Sequence, residues 1–142
     1  MNDVYLFIHV ATAIMFIGAV MVATSLFPRY AAADDAAEGG RAVAVAMHRI
    51  TQLYGLLALI CPAAGAILAV RYGILGETWI WLSIVLVAVA WLMLLLKIIP
   101  QQEKMLTAES AGLSKLRGQA AAFAGVFNLL WFVVLILMYA RP

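Results

Sequence analysis

Two histidines are the residues most able to do chemistry in this chain, and they sit in very different surroundings. His9 is the one ionisable side chain in the first apolar run, Val4 to Leu26. An ionisable group inside a membrane-spanning segment is rare and marks function by default. At that depth a neutral imidazole can ligate haem iron axially, relay protons or bind a metal ion. The plainer role is a hydrogen bond to a neighbouring helix.

His48 is the second histidine, between Arg41 and Arg49. The two cannot share a haem within one protomer. From His9 to Phe27 is 18 residues, about 27 Å of helix at 1.5 Å per residue. That carries His48 to the opposite membrane face, where lipid headgroups or the first connecting segment surround it. A haem on His9 therefore takes its second ligand from the same face. Met138, near the end of the fourth apolar run, would give a His/Met pair of the cytochrome c kind. A two-fold dimer offering His9 twice, or a five-coordinate haem, also satisfies the iron. Met15 lies one and a half turns deeper.

Asn128 stands near the middle of the fourth run. Its amide must find a partner in hydrocarbon, and such interhelical bonds contribute about 0.6–2 kcal/mol; the other reading is a contact to cofactor or substrate. Lys97 closes the third run, where it either snorkels to headgroups or holds a propionate or acidic substrate. Cys61 is the only cysteine, which leaves no intramolecular disulfide and no cysteine metal site.

The elements that must position these residues follow from composition. Of 142 residues, 67% are hydrophobic and 11% charged, with mean hydropathy +1.06. A soluble domain is about a quarter charged, so a soluble enzyme, a disordered chain and a disulfide scaffold are all excluded. A net charge of +2, scattered over the connecting segments, gives no nucleic-acid footprint. Four continuous apolar runs, without the alternation of barrel strands, predict an all-α polytopic membrane protein. It is a four-transmembrane-helix bundle forming a single domain over 1–142, with helices at about 4–26, 50–70, 79–99 and 120–140. The first run reads as a retained helix, because Met-Asn-Asp is no basic leader and the apolar stretch exceeds a signal core.

Seven of the nine basic residues fall in segments 27–49 and 100–119 or at the helix end beside them: Arg29, Arg41, Arg49, Lys104, Lys115 and Arg117 within the segments, and Lys97 at the end of the third run. Only Arg71 and Arg141 lie on the other side. The positive-inside rule places both segments in the cytoplasm and both termini outside, in a multi-pass protein of the inner (plasma) membrane. Tyr5, Tyr72, Trp79, Trp81 and Tyr139 form an aromatic belt on the outer side. Asp34-Asp35 and Gly39-Gly40 break the first long segment, and the sequence turns helical again from Arg41. Pro100 is expected to end the third helix, and Ser110 to Gly118 to form one or two turns. Pro62 kinks the second helix, and the small residues after it, with Gly18 and the Ala120 to Gly125 run, invite close helix contact within the protomer or across a homodimer.

Tyr5-Leu6-Phe7-Ile8-His9-Val10, followed by Gly18, resembles helix 1 of the CopD/HemJ-like group of small haem- or copper-linked membrane proteins. Gly125-Val126-Phe127-Asn128-Leu129-Leu130-Trp131, ending in Arg141-Pro142, looks more like a neighbouring family of integral membrane proteins of unknown function. In HemJ-like proteins the helix 1 histidine is implicated in binding haem b, and the family oxidises protoporphyrinogen IX. The resemblance implies that His9 is a haem b ligand and the protein a haem-dependent membrane oxidoreductase. Such proteins carry a lysine early in helix 3; here Lys97 is at the far end, and Phe27-Pro28-Arg29-Tyr30 echoes only part of their basic, aromatic segment.

Three functions stay open on the sequence. One is a haem b redox protein on His9, with Met138 and Asn128 as further cofactor contacts. Another is a non-enzymatic accessory or scaffold subunit acting through helix contacts, as a homodimer or beside a membrane partner. The third is a small-molecule or metal transporter, disfavoured by the lack of a carboxylate within the apolar runs.

Overall fold

The computed structural model describes residues 1–31, 40–107 and 112–141. They form four helices, α1 (Asn2–Ala31), α2 (Gly40–Arg71), α3 (Thr78–Thr107) and α4 (Leu113–Ala140), each long and apolar enough to cross a membrane. No strand occurs among the described residues. The helices run up and down. Asn2, the α2–α3 turn and Ala140 lie at one end, called here the terminal face; the two longer connections lie at the other, the loop face.

α1 packs on α2 along its whole length. α4 packs on α3 and on the loop-side half of α1, and the first half of α2 meets the last turns of α3. All four helices contribute to one buried layer: Ile17 and Val20, Ala58 and Cys61, Ala90 and Leu94, Phe127 and Trp131. A second cluster, Phe27, Ala44, Met105 and Ala120, closes the loop face. Most remaining large apolar side chains, such as Phe7, Ile14, Leu96 and Phe132, are exposed on the outside. That distribution suits a bundle solvated by lipid, where tails are as apolar as leucine and association rests on packing and interhelical polar contacts.

Three helices depart from α geometry. α1 widens into a π turn at Ala13–Ile17. Just before it, the Thr12 hydroxyl donates back to the Ile8 carbonyl at 2.6 Å, a bond that bends helices. α2 breaks at Ala58 and Leu59, ahead of Pro62. Pro62 has no N–H to give, and the Cys61 N–H turns back to the Ala58 carbonyl at 3.1 Å.

The third departure corrects a sequence expectation. Pro100 does not end α3, which continues to Thr107. A π turn at Leu94–Ile98 precedes the proline. Its extra residue takes the carbonyls out of α register, so the pyrrolidine ring is accommodated without stopping the helix. The flanking segments are also more helical than the hydropathy implied. Residues 27–31 and 40–49 belong to α1 and α2, and residues 100–107 and 113–119 to α3 and α4. The expected chain-breaking Asp34, Asp35 and Gly39, and Ser110 of the expected short turn, lie outside the described residues.

The α2–α3 turn is fixed by its glycine. The Ile74 N–H reaches the Ala69 carbonyl at 3.0 Å and the Gly73 N–H reaches Val70 at 3.1 Å, the paired bonds of a Schellman cap. Gly73 has φ +69°, and Ile74 packs on the cluster of Ala69, Trp79 and Ile80. Gly73→Ala forces an L side chain into left-handed backbone at about 1–2 kcal/mol. Thermal unfolding in detergent should show a lower Tm for Gly73→Ala, and a smaller drop for Gly73→Asn.

Candidate functional site

His9 lies on the terminal half of α1, against α2. Its Nδ1 is 2.7 Å from the Cys61 carbonyl oxygen and 3.6 Å from the Cys61 Sγ. A carbonyl only accepts, so Nδ1 carries the proton and, in the neutral ring, Nε2 keeps its lone pair. The ring occupies a notch that only glycine leaves open. A Cβ on Gly65 would lie 2.8 Å from His9 Cε1 and 2.9 Å from Nδ1, closer than real side chains approach. The Cys61-Pro62-Ala63-Ala64-Gly65 stretch thus serves two ends: its proline bends α2, and its glycine admits the imidazole. Further contacts extend the α1–α2 seam. Arg71 Nε donates to Asn2 Oδ1 at 2.7 Å and its guanidinium sits 5.3 Å from the Tyr5 ring centroid, while Phe16 meets Tyr54 edge-on at 5.6 Å.

The expected companions of His9 lie in different surroundings. Met138 is packed against Ala69, Trp79 and Ile80 at the terminal face and also against the central buried cluster. Met15 is 61% exposed, so it faces outward rather than into the bundle. Asn128 belongs to another level. Its Nδ2 donates to Ser25 Oγ at 2.7 Å, an interhelical bond, and Ser25 passes its own proton to the Met21 carbonyl. Ser25 is 16 residues beyond His9 on α1, about 24 Å along the axis. Asn128 Oδ1 and Trp131 Nε1, both on α4, are buried polar atoms with no partner.

His48 is where sequence reasoning went furthest astray. It is buried rather than turned to headgroups: Nδ1 is 2.8 Å from Gln102 Oε1 on α3, and the ring lies beside Phe27 of the expected first connecting segment. Gln102 Nε2 is 3.3 Å from Thr51 Oγ1, and Thr51 donates to the Met47 carbonyl at 2.8 Å. The chain of bonds has one direction. Thr51 spends its single proton on Met47, so it must accept from the Gln102 NH2, which leaves the Gln102 carbonyl to accept the His48 Nδ1–H. Gln102 is 1% exposed and Thr51 fully buried, so the network is sealed. His48 Nε2 looks toward Glu103, with the nearest carboxylate oxygen at 4.0 Å. The signal for this network was present: Leu94, Ile98, Gln101 or Gln102, and Met105 recur at helical spacing straight through Pro100.

Lys97 is exposed at the loop-side end of α3, beside Lys104, Gln101 and Gln119, in an open pocket of about 260 Å³. Among the described residues no three of His, Cys, Asp and Glu converge on a point. No protein-family model matches the chain, and no curated protein and no solved structure is detectably similar to it.

Two stability experiments follow. Gly65→Ala should lower Tm through collision with the imidazole, at about 1–3 kcal/mol. In a His9→Ala background the same change should cost much less, so the double-mutant cycle reads the notch directly. Gln102→Leu should lower Tm by leaving the buried His48 N–H without an acceptor, about 1–3 kcal/mol, whereas Glu103→Gln should be nearly silent.

Proposed function

We propose that this protein is a haem b-binding membrane redox protein with His9 as an axial ligand. The observation that carries the reading is the Nδ1–H bond to the Cys61 carbonyl within the Gly65 notch. Histidines that bind a metal characteristically donate their other ring proton to a carbonyl or carboxylate, which fixes the tautomer and the ring plane. Here that proton is spent and the ring held, so Nε2 is the ligating nitrogen. The donor set favours haem over a bare ion. Among the described residues no group of three His, Cys, Asp or Glu surrounds an ion here, and the Cys61 thiol is the neighbour His9 has, whereas a porphyrin brings four nitrogens of its own.

Bound haem supplies one-electron chemistry. The chain's contribution is to hold the imidazole against rotation and, through the carbonyl bond, to raise its donor strength. The lipid-facing position of the α1–α2 seam fits electron exchange with an apolar partner. A second ligand, if one is used, would come from Met138 of the same protomer or His9 of a second protomer. Protoporphyrinogen oxidation would be one activity of such a centre. Membership in an inner membrane, with termini outside and segments 27–49 and 100–119 cytoplasmic, belongs to the same proposal and rests on the distribution of Lys and Arg.

A second reading has its own observation in favour. The His9–Cys61–Gly65 contact is complete as a helix clamp, and the outward faces of all four helices are apolar. A colourless clamp of this kind suits an accessory subunit or homodimer. The reduced-minus-oxidised absorption spectrum of protein purified under full haem supply separates the two. The haem reading expects b-type α and Soret bands that disappear in His9→Ala and persist in His48→Ala. A flat spectrum in the wild type sinks it and leaves the clamp, to be followed by size-exclusion with light scattering for a dimer.

A further inference from the structure

The pocket between α3 and α4 at the loop face is lined by Leu96, Lys97, Pro100, Gln101, Lys104, Gln119 and Phe123. Two of its seven lining residues are lysines and none is a carboxylate. Lys97 and Lys104 are two helical turns apart on one side of α3, about 10 Å along the axis, and neither is ion-paired among the described residues. Gln101 fixes the remaining chemistry. Its buried amide donates to the Leu116 carbonyl at 3.3 Å and to Gln119 Oε1 at 3.1 Å. Gln119 therefore has its carbonyl engaged and its NH2 uncommitted. Beside the Gln101 carbonyl, an acceptor, the polar lining offers two ammonium groups and the Gln119 amide N–H, a set weighted toward donors that recognises an anion.

The apolar lining decides which anion. Leu96 and Phe123 form one end of the pocket, and Leu96, 65% exposed, is the last residue of the apolar run before Lys97. The pocket thus straddles the boundary between hydrocarbon and headgroup levels. At about 260 Å³ it falls below the range that encloses a drug-sized ligand; a headgroup fits where a porphyrin does not. Basic pockets between transmembrane helices are a recurrent way of holding anionic lipid headgroups. We infer that this pocket binds the phosphodiester of an anionic phospholipid, with Lys97 and Lys104 on the phosphate, the Gln119 NH2 on its oxygens, and an acyl chain along Leu96 and Phe123. The inference rests on the four helices crossing a bilayer and is independent of haem.

The test is native mass spectrometry of the full chain after reconstitution in nanodiscs of equal phosphatidylglycerol and phosphatidylcholine. The wild type should retain phosphatidylglycerol in preference to phosphatidylcholine. Lys97→Gln/Lys104→Gln should weaken that preference about 30-fold, and each single change about five-fold. Lys115→Gln/Arg117→Gln removes the same charge from the start of α4 and should leave the preference in place. If the double pocket variant fails to fold, the two single variants carry the test. Equal retention of both lipids by the wild type, or a preference that survives loss of both lysines, overturns the site. Displacement of the lipid by millimolar inorganic phosphate or glycerol phosphate as readily as by short-chain phosphatidylglycerol overturns the lipid assignment in favour of a soluble anion.

Discussion

An apolar interior offers no hydrogen bond to a stray carbonyl or amide, yet α1, α2 and α3 all leave α geometry within their apolar stretches. Each departure must be satisfied from inside the bundle, and the rest of the structure depends on how this is done. In α2 the N–H that Pro62 lacks is offset by the shortened Cys61-to-Ala58 turn. In α3 a π turn shifts register before Pro100. In α1 a π turn follows the back-bonded Thr12. These departures stand beside the polar contacts between helices. His9 binds α2 just past its break, and Gln101 and Gln102 follow the α3 π turn directly.

The two histidines illustrate how the same side chain is used differently at two heights. His9 gives one nitrogen to a backbone carbonyl and keeps the other. It is half-buried where α1 meets α2, and its Nε2 has no hydrogen-bond partner among the described residues. His48 is enclosed with Gln102, Thr51 and Phe27, and its ring lies 6.3 Å from that of Phe27. Every polar partner of its Nδ1 is itself committed elsewhere. The first arrangement suits ligation, and the second suits fixing the register of α2 against α3.

Much of the fold was legible because a chain with so few charges has few ways to bury its backbone. Four apolar runs of spanning length leave four helices as the economical solution. Helix ends were less legible, because hydropathy marks where the apolar stretch stops and not where the hydrogen-bonded helix stops. α3 passes its proline and gains two turns that hold Gln101, Gln102 and Met105. Within the candidate site, the place of His9 along its helix could be read from its position in the run, but its partner could not. The Cys61 carbonyl is a backbone atom that no side-chain pattern advertises, and Gly65 looked like one small residue among several. Asn128 behaved as an interhelical amide should, and only the identity of Ser25 was hidden.

The seam between α1 and α2 has a bearing on how the molecule is assembled. Its upper contacts, Arg71 with Asn2 and Tyr5, His9 with Cys61, and Phe16 with Tyr54, draw on no residue beyond position 71. The first half of the chain can thus close as a hairpin while the second half is still being made. Its lower end cannot: His48 and Thr51 lack the amide between them until Gln102 arrives on α3. Until then those two side chains remain at the loop face, where water can stand in for the missing glutamine. The order of synthesis and the order of packing therefore coincide, with Gln102 as the residue that dries the interior.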